Sequence, residues 1–103
     1  MTREALRAVI DERVARLVAR AAVEGWPIRA DHCFLRIAYD NAVGAKWDTV
    51  VRAPAWRNLP LDRMAAALAV LIEIERSDGV ALDADNAASL TWRRQAASDK
   101  MSG

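Results

Sequence analysis

Apolar residues recur every three or four positions along most of the chain, a spacing typical of amphipathic helices. In residues 2–24 this stripe consists of Leu6, Ile10, Val14, Leu17, Val18 and Ala21. Thr2 is a plausible start for this helix. Gly25 is expected to end the helix, and Pro27 prevents its continuation because it lacks an amide hydrogen and restricts Trp26 to extended geometry. The pattern therefore predicts one long N-terminal helix.

A second helix is predicted between Asp31, a favourable N-cap residue, and Gly44, a favourable stop. Its apolar residues cover most of the helix circumference, so we expect it to be central and buried on more than one side; they are Phe34, Leu35, Ile37, Ala38, Tyr39 and Ala42. Only a narrow polar strip remains, which consists of His32, Arg36 and Asp40 at a spacing of four.

The second half of the chain is divided by prolines. Pro54 and Pro60 exclude one continuous helix over residues 45–59, so we expect a short helical turn at about residues 47–51 and then irregular chain. Pro60 fits the start of a strongly apolar helix that runs to about Ser77, with Gly79 as its stop. A last helix is expected from a cap at Asp83 or Asp85 to about Ala97.

No strand is predicted, because alternation of apolar and polar residues appears only in the short acidic stretch VALDAD, residues 80–85. The predicted fold is therefore all-α: a compact bundle of four main helices plus a short helical turn. We expect a single helical domain over residues 1–97 and a flexible tail over residues 98–103.

Composition agrees with one globular domain. The chain has 103 residues, of which 53% are hydrophobic and 28% charged, and its formal net charge of +1 argues neither for nor against a polyanionic partner. The longest strongly apolar stretch without a charge covers residues 64–72, whereas a membrane-spanning helix needs about 20 residues. With a single cysteine and no secretory-signal pattern, the sequence predicts a cytoplasmic protein without a membrane segment.

Conventional catalytic and metal sites are poorly supported. His32 and Cys33 are the only residues of their types, so the four ligands of a structural zinc site are missing. A nucleophilic role for Cys33 is opposed by the adjacent Asp31, and His32 would point about 100° away from it on a helix. Glycine-rich phosphate loops are also absent. We therefore expect no catalytic residue, no metal and no cofactor, and we favour a protein that is not an enzyme.

The polar strip of the second helix is the main candidate for binding. Its spacing predicts that Arg36 pairs with Asp40, with Asn41 adjacent. One interpretation is a solvated helix face with a minor ion pair. The other is a functional patch in which Arg36 binds a carboxylate, a phosphate or a backbone carbonyl. Most of the four tryptophans are expected in the core; if one is exposed, we expect it to be Trp56, which the flanking prolines would present from a loop. The predicted partner-binding residues are His32, Arg36, Asp40, Asn41 and Trp56.

Basic residues suggest a weaker alternative, binding to nucleic acid. Arg13, Arg16 and Arg20 fall along one side of the first helix, and two further arginines are adjacent in the last helix. However, neighbouring carboxylates offset much of this charge, whereas phosphate binding normally uses a concentrated basic stripe.

The run DHCFLRIAYDNAVGAKWDTVV, with PAWRNLP and SLTWRR further on, resembles a group of small bacterial proteins with a D-H-C-F-x-R…D-N…G…W pattern. Members are often labelled GNAT-type N-acetyltransferases, which implies acyl-coenzyme A as a substrate and a mixed α/β fold. The signature loop of that family, [QR]-x-x-G-x-[GA], is not matched by NAVGAK around Gly44. The resemblance covers about residues 31–93. It also implies that Ser89 and Arg93 belong to the same site as the polar strip, so we take them as secondary site candidates.

Our first hypothesis is a small non-enzymatic interaction or regulatory module that binds a macromolecular partner, namely a protein. The alternatives are an acyl-coenzyme A dependent N-acetyltransferase-like protein, on the resemblance alone, and a helical nucleic-acid-binding protein. The sequence leaves the oligomeric state open.

Overall fold

The computed structural model describes residues 1–102 and confirms the all-α fold, since no strand occurs in that range. Four long helices are accompanied by two short helical segments. The elements, in chain order, are α1 (Arg3–Glu24), α2 (Asp31–Val43), a 3-10 helix (Trp47–Thr49), α3 (Ala55–Asn58), α4 (Leu61–Arg76) and α5 (Val80–Ser102).

The ends of α1 agree with the predicted signals. Thr2 is the N-cap, and its Oγ1 accepts a hydrogen bond of 3.1 Å from the backbone amide of Ala5. Gly25 follows the helix in the left-handed conformation, with φ 71°, and its amide donates to the carbonyl of Ala21. A residue without a Cβ adopts this conformation at little cost, which is why the helix ends there.

The start of α2 differs from the prediction by one residue. Ala30 is the N-cap residue and has no capping side chain, while Asp31 is the first helical residue. The Oδ1 of Asp31 instead accepts a hydrogen bond of 2.7 Å from the amide of His32, so Asp31 still satisfies a free amide of the first turn. The predicted stop at Gly44 is confirmed, with φ 71°.

The last two helices meet in a tight turn, and the predicted start of α5 is wrong. The helix begins at Val80 because the hydroxyl of Ser77 accepts a hydrogen bond of 3.0 Å from the amide of Ala81, which is the capping role expected of Asp83 or Asp85. The predicted end at about Ala97 is also too early, since α5 continues to Ser102. Gly103 of the predicted tail lies outside the described residues.

Helix α2 is the centre of the bundle and packs against α1, α4 and α5. Phe34, Ile37 and Ala38 are fully buried, as the apolar coverage of this helix predicts. Core residues also come from one stripe of α1 and one of α4: Leu6, Ile10, Val14, Leu17, Ala21, Met64, Ala67, Leu71 and Ile74. Among the described residues, no helix has the length and apolar character needed to span a membrane.

Candidate functional site

Asp40 is a fully buried carboxylate in the middle of the bundle. Its Oδ2 accepts hydrogen bonds from Ser89 Oγ at 2.6 Å and from Arg93 Nε at 2.7 Å. Its Oδ1 accepts from Arg93 Nη2 at 3.1 Å and from the backbone amide of Trp47 at 2.9 Å. A charge can be buried only if it is paired and hydrogen-bonded. Asp40 therefore joins α2 to α5 and to the start of the 3-10 helix.

Arg36 lies one turn before Asp40 on α2, but the expected pair between the two is wrong. Arg36 Nη1 donates to Ser89 Oγ at 2.7 Å, and Arg36 Nη2 donates to Asn86 Oδ1 at 2.8 Å. The ion-pair partner of Asp40 is Arg93 instead. Because α5 packs against this face of α2, the side chains of the strip bond across the interface instead of along their own helix. Ser89 Oγ accepts from Arg36 and donates to Asp40, so it links the two.

The two secondary candidates, Ser89 and Arg93, therefore meet the polar strip in space. Asn41 also bonds across the interface: its Nδ2 lies 2.9 Å from the carbonyl oxygens of Ile37 and Asp85, which fastens α2 to α5. His32 is apart from this network. Its side chain is 82% exposed, and its Nδ1 lies 3.5 Å from Asp31 Oδ1.

A cavity of about 560 Å³ adjoins this network. Four predicted site residues line it, namely His32, Arg36, Trp56 and Arg93, whereas Asp40, Asn41 and Ser89 do not. The remaining lining residues combine aromatic, aliphatic and charged side chains: Arg7, Asp11, Leu35, Tyr39, Trp47, Ala53, Pro54 and Ala55. We refer to this cavity as the aromatic pocket, because rings from α2, α3 and the 3-10 helix line it.

The expected exposure of Trp56 on a loop is wrong. Trp56 belongs to α3, where the residue before it, Ala55, is buried, and its own side chain is partly buried against the core. The guanidinium carbons of Arg7 and Arg57 lie 4.0 and 5.3 Å from its ring centroid. The helix α3 is only one turn long, so the spacing of its apolar residues could not predict it. Its Trp56 side chain lines the aromatic pocket.

Tyr39 and Trp47 form another part of the pocket lining. Their rings meet edge to face, with centroids 6.3 Å apart and an interplanar angle of 64°. Burial, with a smaller contribution from the negative charge of Asp11, raises the pKa of Tyr39 to about 12. The phenol therefore stays protonated at neutral pH. Sequence reasoning assigned Tyr39 to the core only. Its position four residues after Leu35, beside the polar strip, is the signal that could have placed it here.

The charges at the aromatic pocket are unequally compensated. Asp40 neutralises Arg93, and Arg7 Nε lies 3.8 Å from Asp11 Oδ2. Arg36 is different, because its partners Ser89 and Asn86 are neutral and no carboxylate among residues 1–102 is within ion-pair distance of it. Arg36 therefore lines the pocket without a direct ion-pair partner, and only the hydroxyl of Ser89 connects it to the carboxylate of Asp40.

The basic side of α1 is engaged within the fold. Arg13 and Arg16 both form ion pairs with Glu75 of α4. Arg20 donates to the backbone carbonyl of Glu75 and pairs with Asp78 in the turn after α4. These arginines were the candidate phosphate contacts, and acidic residues of the same molecule already offset their charge.

No cluster of three or more histidine, cysteine or acidic side chains that could hold a metal occurs within the described part of the chain. Comparison of the chain with protein-family models, with curated proteins and with solved structures returned no match.

Proposed function

We propose that this protein is a small, non-enzymatic interaction module that binds a protein partner at the aromatic pocket. The observation that carries the proposal is the guanidinium of Arg36, which lies at a cavity with aromatic walls and has no acidic partner. Arginine, tryptophan and tyrosine are the residues that contribute most to binding at protein interfaces. A pocket of this volume also falls within the range of about 300–1,000 Å³ that is typical of ligand sites.

The buried network supports the proposal because it holds the binding groups in place. Ser89 fixes one nitrogen of Arg36, and Asp40 fixes two nitrogens of Arg93. A group that is already ordered loses less conformational entropy when a partner binds. In this proposal Arg36 and Trp56 contact the partner, while Asp40 and Ser89 position the arginines.

The remaining predicted residues take different roles. His32 lies at the exposed rim of the aromatic pocket, where it borders a bound partner. Asn41 keeps α2 and α5 in register through its two carbonyl contacts. A protein partner is favoured over nucleic acid because the arginines of α1 are engaged by Glu75 and Asp78, so α1 offers no concentrated basic stripe for phosphates.

Affinity capture with matched variants tests the proposal. Wild-type protein, Arg36→Gln and Arg94→Gln are immobilised and exposed to a lysate of cells that naturally produce the protein, and retained proteins are quantified by mass spectrometry. Arg94 is the matched control because it is exposed on α5, outside the aromatic pocket, and its side-chain contact is a 3.4 Å approach to Thr91.

We expect a partner that the wild type and Arg94→Gln retain and that Arg36→Gln loses about tenfold or more, since a hydrogen bond to a charged group contributes about 1.5–3 kcal/mol. Thermal melts establish that the variants are folded. If folded Arg36→Gln retains every protein that the wild type retains, the proposal is wrong.

A further inference from the structure

We infer that the aromatic pocket recognises the free C-terminal carboxylate of its partner, together with an apolar last side chain. This inference rests on the proposed function and names the chemical group that the pocket binds. It follows from two properties that the pocket combines: a guanidinium with unused donors, and apolar walls beside it.

The donor count is the first step. A guanidinium has five N–H groups in a planar fork. The Nε of Arg36 has no hydrogen-bond partner among the described residues, and each of its two terminal nitrogens has one described partner. In Arg93 the bonds to Asp40 use Nε and Nη2, and Nη1 has no partner among the described residues. Both side chains line the pocket, so an anion there meets directed donors, and a planar carboxylate matches the guanidinium fork.

The charge balance is the second step. Three arginines line the pocket, namely Arg7, Arg36 and Arg93. The carboxylates are Asp11, which also lines the pocket, and the buried Asp40, which is bonded to Arg93. These three arginines and two carboxylates leave one unit of positive charge. That excess matches a monoanion, such as a carboxylate, better than a phosphate group with a charge of about −1.5 to −2.

The apolar walls are the third step. Leu35, Tyr39 and Trp47 offer apolar surface in the same cavity as the arginines. An aspartate or glutamate inside a partner chain has its carboxylate at the end of its own side chain, so the same residue has no apolar side chain to place against these walls. The last residue of a chain can carry a carboxylate and an apolar side chain on one Cα atom. Because His32 and Pro54 at the rim are exposed, the preceding residues of the partner can leave the pocket toward solvent.

The four tryptophans provide the measurement. Trp47 and Trp56 line the aromatic pocket, whereas Trp26 and Trp92 do not, so their indole N–H signals in a ¹H–¹⁵N NMR spectrum contain both the reporters and an internal control. The probes are N-acetyl-alanyl-phenylalanine and N-acetyl-alanyl-leucine as free acids, the C-terminal amides of both, and 3-phenylpropanoate as a carboxylate without a peptide chain.

We expect at least one free-acid dipeptide to shift the Trp47 and Trp56 signals in a saturable manner while the Trp26 and Trp92 signals stay in place. Its C-terminal amide should bind about tenfold more weakly or worse, because it cannot offer two charged acceptors to Arg36. In Arg36→Gln the acid should lose its advantage over the amide, whereas Arg94→Gln should keep it.

Three results would overturn the inference. Equal affinities of acid and amide exclude recognition of the carboxylate, and absence of shifts up to the solubility limit of both dipeptides excludes a chain end as the ligand. Binding of 3-phenylpropanoate as tight as that of the dipeptides assigns the pocket to free organic acids. These failures are distinct from failure of the proposed function, which appears as capture that does not depend on Arg36.

Discussion

Asp40 on α2 and Arg93 on α5 form a two-pronged ion pair, in which the guanidinium Nε and Nη2 lie 2.7 and 3.1 Å from the two carboxylate oxygens. The carboxylate is fully buried, whereas 27% of the arginine side chain is exposed. The pair connects the central helix of the bundle to its last helix and adjoins the aromatic pocket.

Asp40→Ala should lower the free energy of unfolding by about 3 kcal/mol, because it leaves Arg93 without its counter-ion inside the fold. Ser89 and the amide of Trp47 lose their acceptor as well. Urea denaturation followed by circular dichroism measures the change. Arg94→Ala is the control, since it removes an exposed arginine one position further on and should change stability by about 0.5 kcal/mol or less. Equal effects of the two substitutions would contradict a structural role for the ion pair.

Ser89→Ala should lower the free energy of unfolding by about 1–2 kcal/mol, because the buried hydroxyl both accepts from Arg36 and donates to Asp40. Thr91→Ala, on the exposed side of α5, removes a hydroxyl that donates to the carbonyl of Ala87 and accepts from the exposed Arg94 at 3.4 Å, and it should cost less. Chemical denaturation of both variants gives the comparison. A smaller loss for Ser89→Ala than for Thr91→Ala would show that the hydroxyl bridge contributes little.

Much of the fold could be predicted because its signals are local. Thr2 and Gly25 act within one turn of the α1 ends that they define, and the apolar coverage of α2 is visible without knowledge of its neighbours. The start of α5 could not be predicted in the same way. It depends on the hydroxyl of Ser77, which reaches the amide of Ala81 only after the turn at Gly79 has formed.

The sequence predicted which side of α2 carries the polar residues of the candidate site, but it did not predict their hydrogen-bond partners. A spacing of four placed His32, Arg36 and Asp40 along one side of α2, and the structure brings two of them to α5. Which partner each side chain selects depends on how α5 is aligned against α2, a tertiary relationship that helical spacing does not contain. The aromatic pocket depends in addition on α1 and the 3-10 helix, so Arg7 and Trp47 could not be assigned to it from the sequence.

Gly79→Ala should be more destabilising than Gly25→Ala, although both glycines have positive φ angles, of 84° and 71°. A left-handed conformation costs a residue with a Cβ about 1–2 kcal/mol. At Gly25 no atom lies within 4 Å of the added Cβ, so this is the whole expected cost. At Gly79 the Cβ would lie 2.6 Å from Cε2 of the buried Trp26, which should add about 1–3 kcal/mol of overpacking. Thermal and urea unfolding compare the variants, and equal losses would show that Trp26 moves aside without cost.

Asp85→Asn should stabilise the protein at neutral pH. Partial burial, and to a smaller extent the negative charge of Glu73, raise the pKa of Asp85 above its ordinary value of 3.8. The folded state therefore favours the protonated form of Asp85 over the charged form. The stability that the protonated carboxyl contributes is fully present below the unfolded pKa of Asp85 and is lost as pH rises through its folded pKa.

The melting temperature of Asp85→Asn should exceed that of the wild type near pH 7, and the difference should disappear at about pH 3, where both side chains are uncharged. Asp83→Asn serves as the control because Asp83 is exposed in the first turn of α5, where a negative charge favours the helix. It should not raise the melting temperature near pH 7. Glu73→Gln should reduce the gain from Asp85→Asn, since it removes the repelling charge. A melting temperature for Asp85→Asn below that of the wild type near pH 7 would show that the Asp85 carboxylate stabilises the fold, contrary to the direction of its pKa.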